Sequence, residues 1–458
     1  MSCSHRNPND LLSVLVALLS ITLCATAEEP APRLQRFSRL PDWALKSWMM
    51  RRQAEPEWAL AGGHVIDIRT GNILESANVV IKGDRIARVD REEIPEGVEV
   101  VEIDGKFVIP GLFDLHAHVM PASLRFPGSP PAEEALRALL DSGVTVIRAL
   151  PLTSELAHEW SAKINQGDLV GPTLVVASGI FEKTPQRTTL GFGDPETARA
   201  WVLREALLGS RWIKVYNKMD EASLRVIVET ARGFGMRVCG HASDVAPREA
   251  SQIGMASIEH VIDIPQSCLK GLKVPDDLRD LGSLTAWRWE HAGDAELAAL
   301  MKLFRDHGTA WVPTLVVTEK MTERGGHDGK PFGGEETVEK LRAGLKKAAR
   351  LAVQQHRDGG LVGLGTDFPI DGVRPGESAH REMELFVELG GASPIEALQI
   401  ATIGSARVLG FSELVGTVEA GRLANLLVLD ANPLENISQI RSIRIVVHDG
   451  RRRVIEGR

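Results

Sequence analysis

The sequence predicts an α/β fold: a parallel, TIM-like (β/α)8 barrel with a small β-sandwich built from both ends of the mature chain. Three observations predict it. Short apolar runs alternate with helix-patterned stretches eight times between residues 107 and 408. Short β-type runs separated by turn signals cluster before and after that block. The chain has 458 residues, enough for a barrel of about 250 residues and a small accessory domain. The alternative for such alternation is an open doubly wound sheet.

Taken in order, residues 1–27 read as an export signal, with Arg6 in a polar opening, an apolar run from Leu11 to Cys24, and Ala25-Thr26-Ala27 before Glu28-Glu29. Cleavage is expected after Ala27, giving a periplasmic or secreted protein. The apolar run is shorter than the ~20 residues that span a bilayer, and no later segment is longer, so the mature chain is expected to carry no integral membrane segment. Leu23 before Cys24 argues against lipidation. Residues 28–57 form an N-terminal extension.

Residues 58–106 contain His64–Ile68, Asn78–Lys82 and Arg85–Val89, separated by Thr70-Gly71-Asn72 and Lys82-Gly83-Asp84. Residues 409–458 contain Leu426–Leu429, Ile443–His448 and, after Asp449-Gly450, Arg453–Ile455. Neither set is large enough to bury a core alone, so the two are expected to meet as one sandwich. Between them, in 107–408, the eight barrel strands are Phe107–Leu115, Val144–Ala149, Thr173–Ala177, Trp212–Tyr216, Arg237–Gly240, Ser257–Val261, Ala310–Leu315 and Leu361–Thr366. Helices are expected at Ala132–Leu140, Pro195–Leu208, Glu221–Phe234 and Thr337–Arg357.

Hydrophobic residues make up 43% and charged residues 25%, the profile of a globular enzyme-sized chain rather than a disordered or fibrous one. The net charge of −8, with only the short basic clusters Arg51-Arg52 and Arg451–Arg453, excludes a nucleic-acid footprint. Past the signal only Cys239 and Cys268 remain, so this is no disulfide scaffold. A single bridge between them stays open, and buried packing is the expected role of Cys239.

In such barrels chemistry sits at the C-terminal ends of strands. Strand one ends in Asp114-Leu115-His116-Ala117-His118, where alternation points both imidazoles to one side. Strand four holds Lys214, strand five ends at His241, strand six at His260 and strand eight at Asp367. Any one of these alone is more often a structural histidine or a snorkelling lysine. Five strand ends supplying metal-ligand types together point to a metal centre. His64, His158, His291, His307, His327, His356 and His448 lie outside the pattern.

The stretches Val108–His118, Gly143–Arg148, Ile213–Tyr216, Gly240–Ala242, Ser257–His260, Gly365–Asp367 and Gly416–Asp430 occur in one order across the mature chain. In them the sequence resembles the amidohydrolase superfamily, and within it the imidazolonepropionase-like and metal-dependent prolidase (Xaa-Pro dipeptidase-like) branch. Asn425 stands where the superfamily more usually has Asp, a departure expected to be harmless.

The resemblance implies that His116, His118 and Asp367 hold one divalent metal and His241 and His260 a second, with Lys214 bridging both as a carbamate formed with carbon dioxide. Zinc suits such mixed ligands. It further implies hydrolysis of carbon–nitrogen bonds through a water shared by the metals, with Asp367 as general base and then acid, and His260 or Tyr216 stabilising the developing oxyanion. The expected partner is a small-molecule or dipeptide substrate, and a homo-oligomer is compatible with the sequence. Arg148, Tyr216 and His380 are candidate substrate contacts, beside Arg125 and Arg187. Phe192–Trp201 and Gly325–Gly334 are expected rim loops. Two other functions stay in view: a cyclic-amide hydrolase or deaminase, and a metal-free binding protein on the same fold.

Overall fold

The structure is a computed structural model that describes residues 57–119, 130–151, 153–184, 190–269, 271–276, 278, 280–324 and 334–455. The export signal, the extension up to residue 56, Arg125, Arg187 and residues 325–333 of the second rim loop lie outside the described residues.

The first sheet opens with β1 (Glu57–Ile66), β2 (Ile73–Lys82), β3 (Arg85–Asp90), β4 (Glu99–Glu102) and β5 (Phe107–Pro110), and the end of the chain adds three strands to it. Seven barrel strands and one short flanking strand come between. They are β6 (Leu112–Ala117), β7 (Val144–Ala149), β8 (Thr173–Glu182), the short β9 (Leu190–Gly191), β10 (Trp212–Val215), β11 (Arg237–Gly240), β12 (Ser257–Glu259) and β13 (Ala310–Val312). The closing strands are β14 (Leu426–Leu429), β15 (Ile443–His448) and β16 (Arg451–Val454).

The two sets of short strands meet in one sheet as expected. Their sheet runs β16-β15-β14-β5-β1-β2-β3, with β4 also paired to β1. It curls until the Ile86 amide donates to the Arg422 carbonyl (2.9 Å) and the Ala424 amide to the Asp84 carbonyl (2.8 Å). This closes the sheet over its own core of Trp58, Leu60, Val79, Ile81, Val108, Leu426, Val428 and Val447.

The second sheet runs β6-β7-β8-β10-β11-β12-β13, all parallel, with β9 paired to β8. Its strands are buried on both faces, as a parallel sheet under helices requires. The predicted eighth strand is not a regular ladder. Residues 361–368 instead cross the gap, joined on one side through Trp311 N to Leu361 O (2.9 Å) and Gly363 N to Trp311 O (3.0 Å), on the other through Leu115 N to Leu364 O and Asp367 N to His116 O (both 2.8 Å). A side chain at Gly365 would meet Val312 and His116, so glycine allows this close approach.

The run predicted as strand one divides at Gly111. Its first half, β5, belongs to the curled sheet and only β6 to the barrel. The helices match more closely: Ala132–Asp141, Pro195–Leu208, Glu221–Gly233 and Glu335–Arg357. Residues Pro195 to Trp201, expected in a rim loop, lie inside the second of these. There Asp194 accepts from the amides of Glu196 and Thr197 and Pro195 fills the first turn, a strong helix start that overrides the loop reading.

Candidate metal centre

β6 delivers His116 within the strand and His118 just past it, β10 delivers Lys214, and His241 and His260 follow directly on β11 and β12. Asp367 comes from the closing segment. All six converge. Asp367 Oδ1 lies 3.2 Å from His118 Nε2 and 3.4 Å from His116 Nε2, and its Oδ2 lies 3.8 Å from His260 Nδ1. Lys214 Nζ lies 3.4 Å from His116 Nε2. The His260 ring centroid is 4.5 Å from that of His116 and 4.4 Å from that of His241. Ligand atoms of His116, His260 and Asp367 all lie within 4.8 Å of one another.

The imidazoles are oriented from behind, each by a different group. His116 Nδ1 donates to Glu259 Oε2 (2.8 Å) and His118 Nδ1 to the Leu150 carbonyl (2.7 Å). His260 Nδ1 faces the Thr314 hydroxyl at 2.9 Å, and His241 Nδ1 faces Asp263 Oδ2 at 3.5 Å. With Nδ1 engaged, Nε2 is the nitrogen left for a ligand. For His260, Nε2 is buried and has no hydrogen-bond partner. An orphaned buried nitrogen beside a carboxylate and three more imidazoles is the arrangement a divalent cation completes, so these residues fit a metal site.

Electrostatics agree. Burial and the Lys214 charge hold His116 well below the ordinary imidazole range, and burial with the His241 charge does the same for His260, so both rings are neutral donors. Burial alone would raise the Asp367 carboxyl, but His260, His118 and Lys214 together hold it below the usual value. Burial lowers Lys214 despite the opposing charges of Glu259 and Asp367. Burial and the charges of Asp367, Glu182 and Asp263 push Tyr216 up to about 12. Tyr216 stands edge-on to His241 with ring centroids 4.4 Å apart, on the lysine's side of β10 as alternation predicts. The backbone is left-handed at His260 (φ 67°), Thr314 (φ 51°) and Asp367 (φ 62°), strain of the kind that collects at functional sites.

Two predicted substrate contacts are corrected. Arg148 is fully buried inside β7, where its Nη2 donates to both oxygens of Glu259 (2.7 Å each) and its Nε to the Leu115 carbonyl (2.7 Å). It lies beneath His116 rather than at the mouth. His380 bonds the Ser142 carbonyl (2.8 Å) in the turn that enters β7, at the end of that strand opposite the site. Glu259, Asp263 and Thr314 were missed. For Glu259 the signal was present, an acid directly before His260 in a buried strand. For the others nothing local distinguishes them.

The two described cysteines are buried and free. No helix among the described residues is long and apolar enough to cross a membrane.

Comparison with known proteins places this geometry in a family. A dihydroorotase of Pelotomaculum thermopropionicum is 25% identical over 414 residues, covering 83% of this chain and 91% of that one. An imidazolonepropionase of Geobacillus kaustophilus is 22% identical over 461 residues, covering 84% and 92%. The solved structure of a prolidase candidate from Bifidobacterium longum superposes with a TM-score of 0.69 at 26% identity, covering 88% of this chain and 95% of that one. The profile of the Amidohydrolase family matches residues 107–453, from β5 to β16 and through every residue of the centre, and the chain belongs to that family.

Proposed function

We propose that the protein is a binuclear-metal amidohydrolase that cleaves carbon–nitrogen amide bonds of small peptides or related amides. The carrying observation is that four imidazoles converge with Asp367 and Lys214, His116 and His118 donating from Nδ1 to Glu259 and the Leu150 carbonyl while His260 Nδ1 faces the Thr314 hydroxyl and His241 Nδ1 faces Asp263. Family membership supports hydrolysis at carbon–nitrogen bonds. His116, His118 and Asp367 would hold one cation, His241 and His260 the other, zinc by ligand type. When bound, such cations lower the pKa of a water and polarise the scissile carbonyl.

The chain's own residues supply the proton handling. Asp367, ionised at rest, accepts the proton of the attacking water and returns it to the departing nitrogen. Tyr216 keeps its proton at neutral pH and so can donate a hydrogen bond to the developing oxyanion. Burial disfavours the Lys214 ammonium, so its neutral amine would add to carbon dioxide with release of a proton, and the resulting carbamate would supply oxygen ligands to the cations.

The likeness to a prolidase candidate favours dipeptides, and the likeness to a dihydroorotase and an imidazolonepropionase supports a second reading, opening of a cyclic amide. A panel of dipeptides, lactams and cyclic ureas, assayed with zinc-loaded protein beside Lys214→Ala, separates them. Dipeptide turnover that collapses together with metal loading in Lys214→Ala is expected. Turnover of cyclic amides alone transfers the protein to the second reading, and an unimpaired Lys214→Ala removes the bridge.

A further inference from the structure

We propose that Glu259 and Arg148 form a positioning pair that sets the metal affinity of His116, an inference that rests on the metal reading above. Glu259 is fully buried at the end of β12, and every polar contact it makes is a donor: His116 Nδ1 at 2.8 Å, Arg148 Nη2 at 2.7 Å to each oxygen, and the Ser257 hydroxyl. Arg148 is itself fully buried, with its guanidinium 4.7 Å from the Trp212 ring centroid and its Nε on the Leu115 carbonyl, one residue before His116. The carboxylate is therefore clamped from β7 while it clamps a ring on β6. Side chains from β7 and β12 thus fix one imidazole on β6.

Two features give this a purpose beyond packing. A buried ion pair is no efficient source of stability, because desolvation offsets most of the attraction. Secondly, the carboxylate sits on the side of His116 opposite Asp367 and Lys214, where it holds the Nδ1–H tautomer and makes Nε2 a stronger donor. His118, served by a backbone carbonyl, and His260, served by a hydroxyl, have no charged partner at Nδ1 within hydrogen-bond distance.

The test compares wild type with Glu259→Gln, Arg148→Met and the double variant, which removes both charges at once and leaves no buried ion unpaired. Affinity for zinc alone is measured by chelator competition, the visible spectrum of the cobalt-loaded protein reports ligand geometry, and urea unfolding of the metal-free proteins reports the fold. The expected result is a double variant whose metal-free stability is close to wild type but whose zinc affinity falls about 10–100-fold, with an altered cobalt spectrum. Arg148→Met should fall part of the way. A double variant that folds and binds zinc as tightly as wild type, with an unchanged spectrum, overturns the pair's role. Wild type that binds neither zinc nor cobalt overturns instead the metal reading beneath it.

Discussion

Thr314 combines two opposed effects that separate by mutation. Its backbone is left-handed, φ 51°, a conformation that costs a β-branched residue about 1–3 kcal/mol. Its buried hydroxyl is the 2.9 Å partner of His260 Nδ1. Losing that partner leaves a buried ring nitrogen unsatisfied, a cost of about 1–3 kcal/mol. Thr314→Val keeps the strain and loses the bond, so it should be destabilised by about 1–3 kcal/mol. Thr314→Ser keeps the hydroxyl and drops the branch, so it should match or slightly exceed wild type. In Thr314→Gly the two terms oppose each other, leaving a change of about 2 kcal/mol or less in either direction. Urea unfolding midpoints at constant slope give the three values, and zinc affinity should follow the hydroxyl alone, retained in the serine variant and weakened in the other two. A valine variant as stable and as zinc-avid as wild type would refute the claim that Thr314 holds His260.

Other perturbations address separate links. Asp367→Asn should leave the fold intact and lower turnover at least about 10²-fold, read as kcat on whichever substrate the panel identifies. Gly240 adopts φ 145°, and a Cβ there would lie 2.0 Å from the Val215 carbonyl oxygen. Gly240→Ala should therefore cost about 3 kcal/mol or more, or yield insoluble protein on expression. The Glu396 carboxyl is held at about 2 by hydrogen bonds from Arg357 and from Ser393, below its ordinary 4.5. That stabilisation is complete above pH 4.5 and disappears as pH falls through about 2. Because Arg357, its main donor, is exposed and the pair is screened by solvent, Glu396→Gln should cost only about 1 kcal/mol at neutral pH. The gap to wild type in thermal unfolding should close toward pH 2, and a gap that persists there would show that the cost is not electrostatic.

Much of the barrel was legible because parallel strands buried on both faces read as apolar runs, and Asp194 and Asp220 cap two of the helices between them. What failed, failed for physical reasons. Phe107–Leu115 is one apolar run in sequence, yet two sheets share it, and hydrophobicity does not reveal which partner covers each half. The closing segment contains Gly363 and Gly365, and these glycines suit close approach better than a regular ladder. In the site, the strand-end pattern found the six convergent side chains because their types are rare there. Arg148 was misplaced because an arginine in a strand reads as a polar end, whereas its charge is matched by Glu259, 111 residues away. Thr314 and Asp263 carry no local signature at all, since a hydroxyl or an acid after a strand is commonplace.

The division of the first apolar run has a mechanical consequence. Gly111 is the single residue between a strand of the curled sheet and the strand that bears His116 and leads directly into His118. Its amide is bonded to the Asn425 carbonyl, and a side chain there would strike Thr145 on β7. Peeling the accessory sheet away would drag on the two histidines directly, with no slack to absorb the pull. The curled sheet, remote from the candidate centre, is thus coupled to it by a single residue, and loosening that sheet should lower zinc affinity, read by chelator competition, before urea unfolds the rest of the barrel.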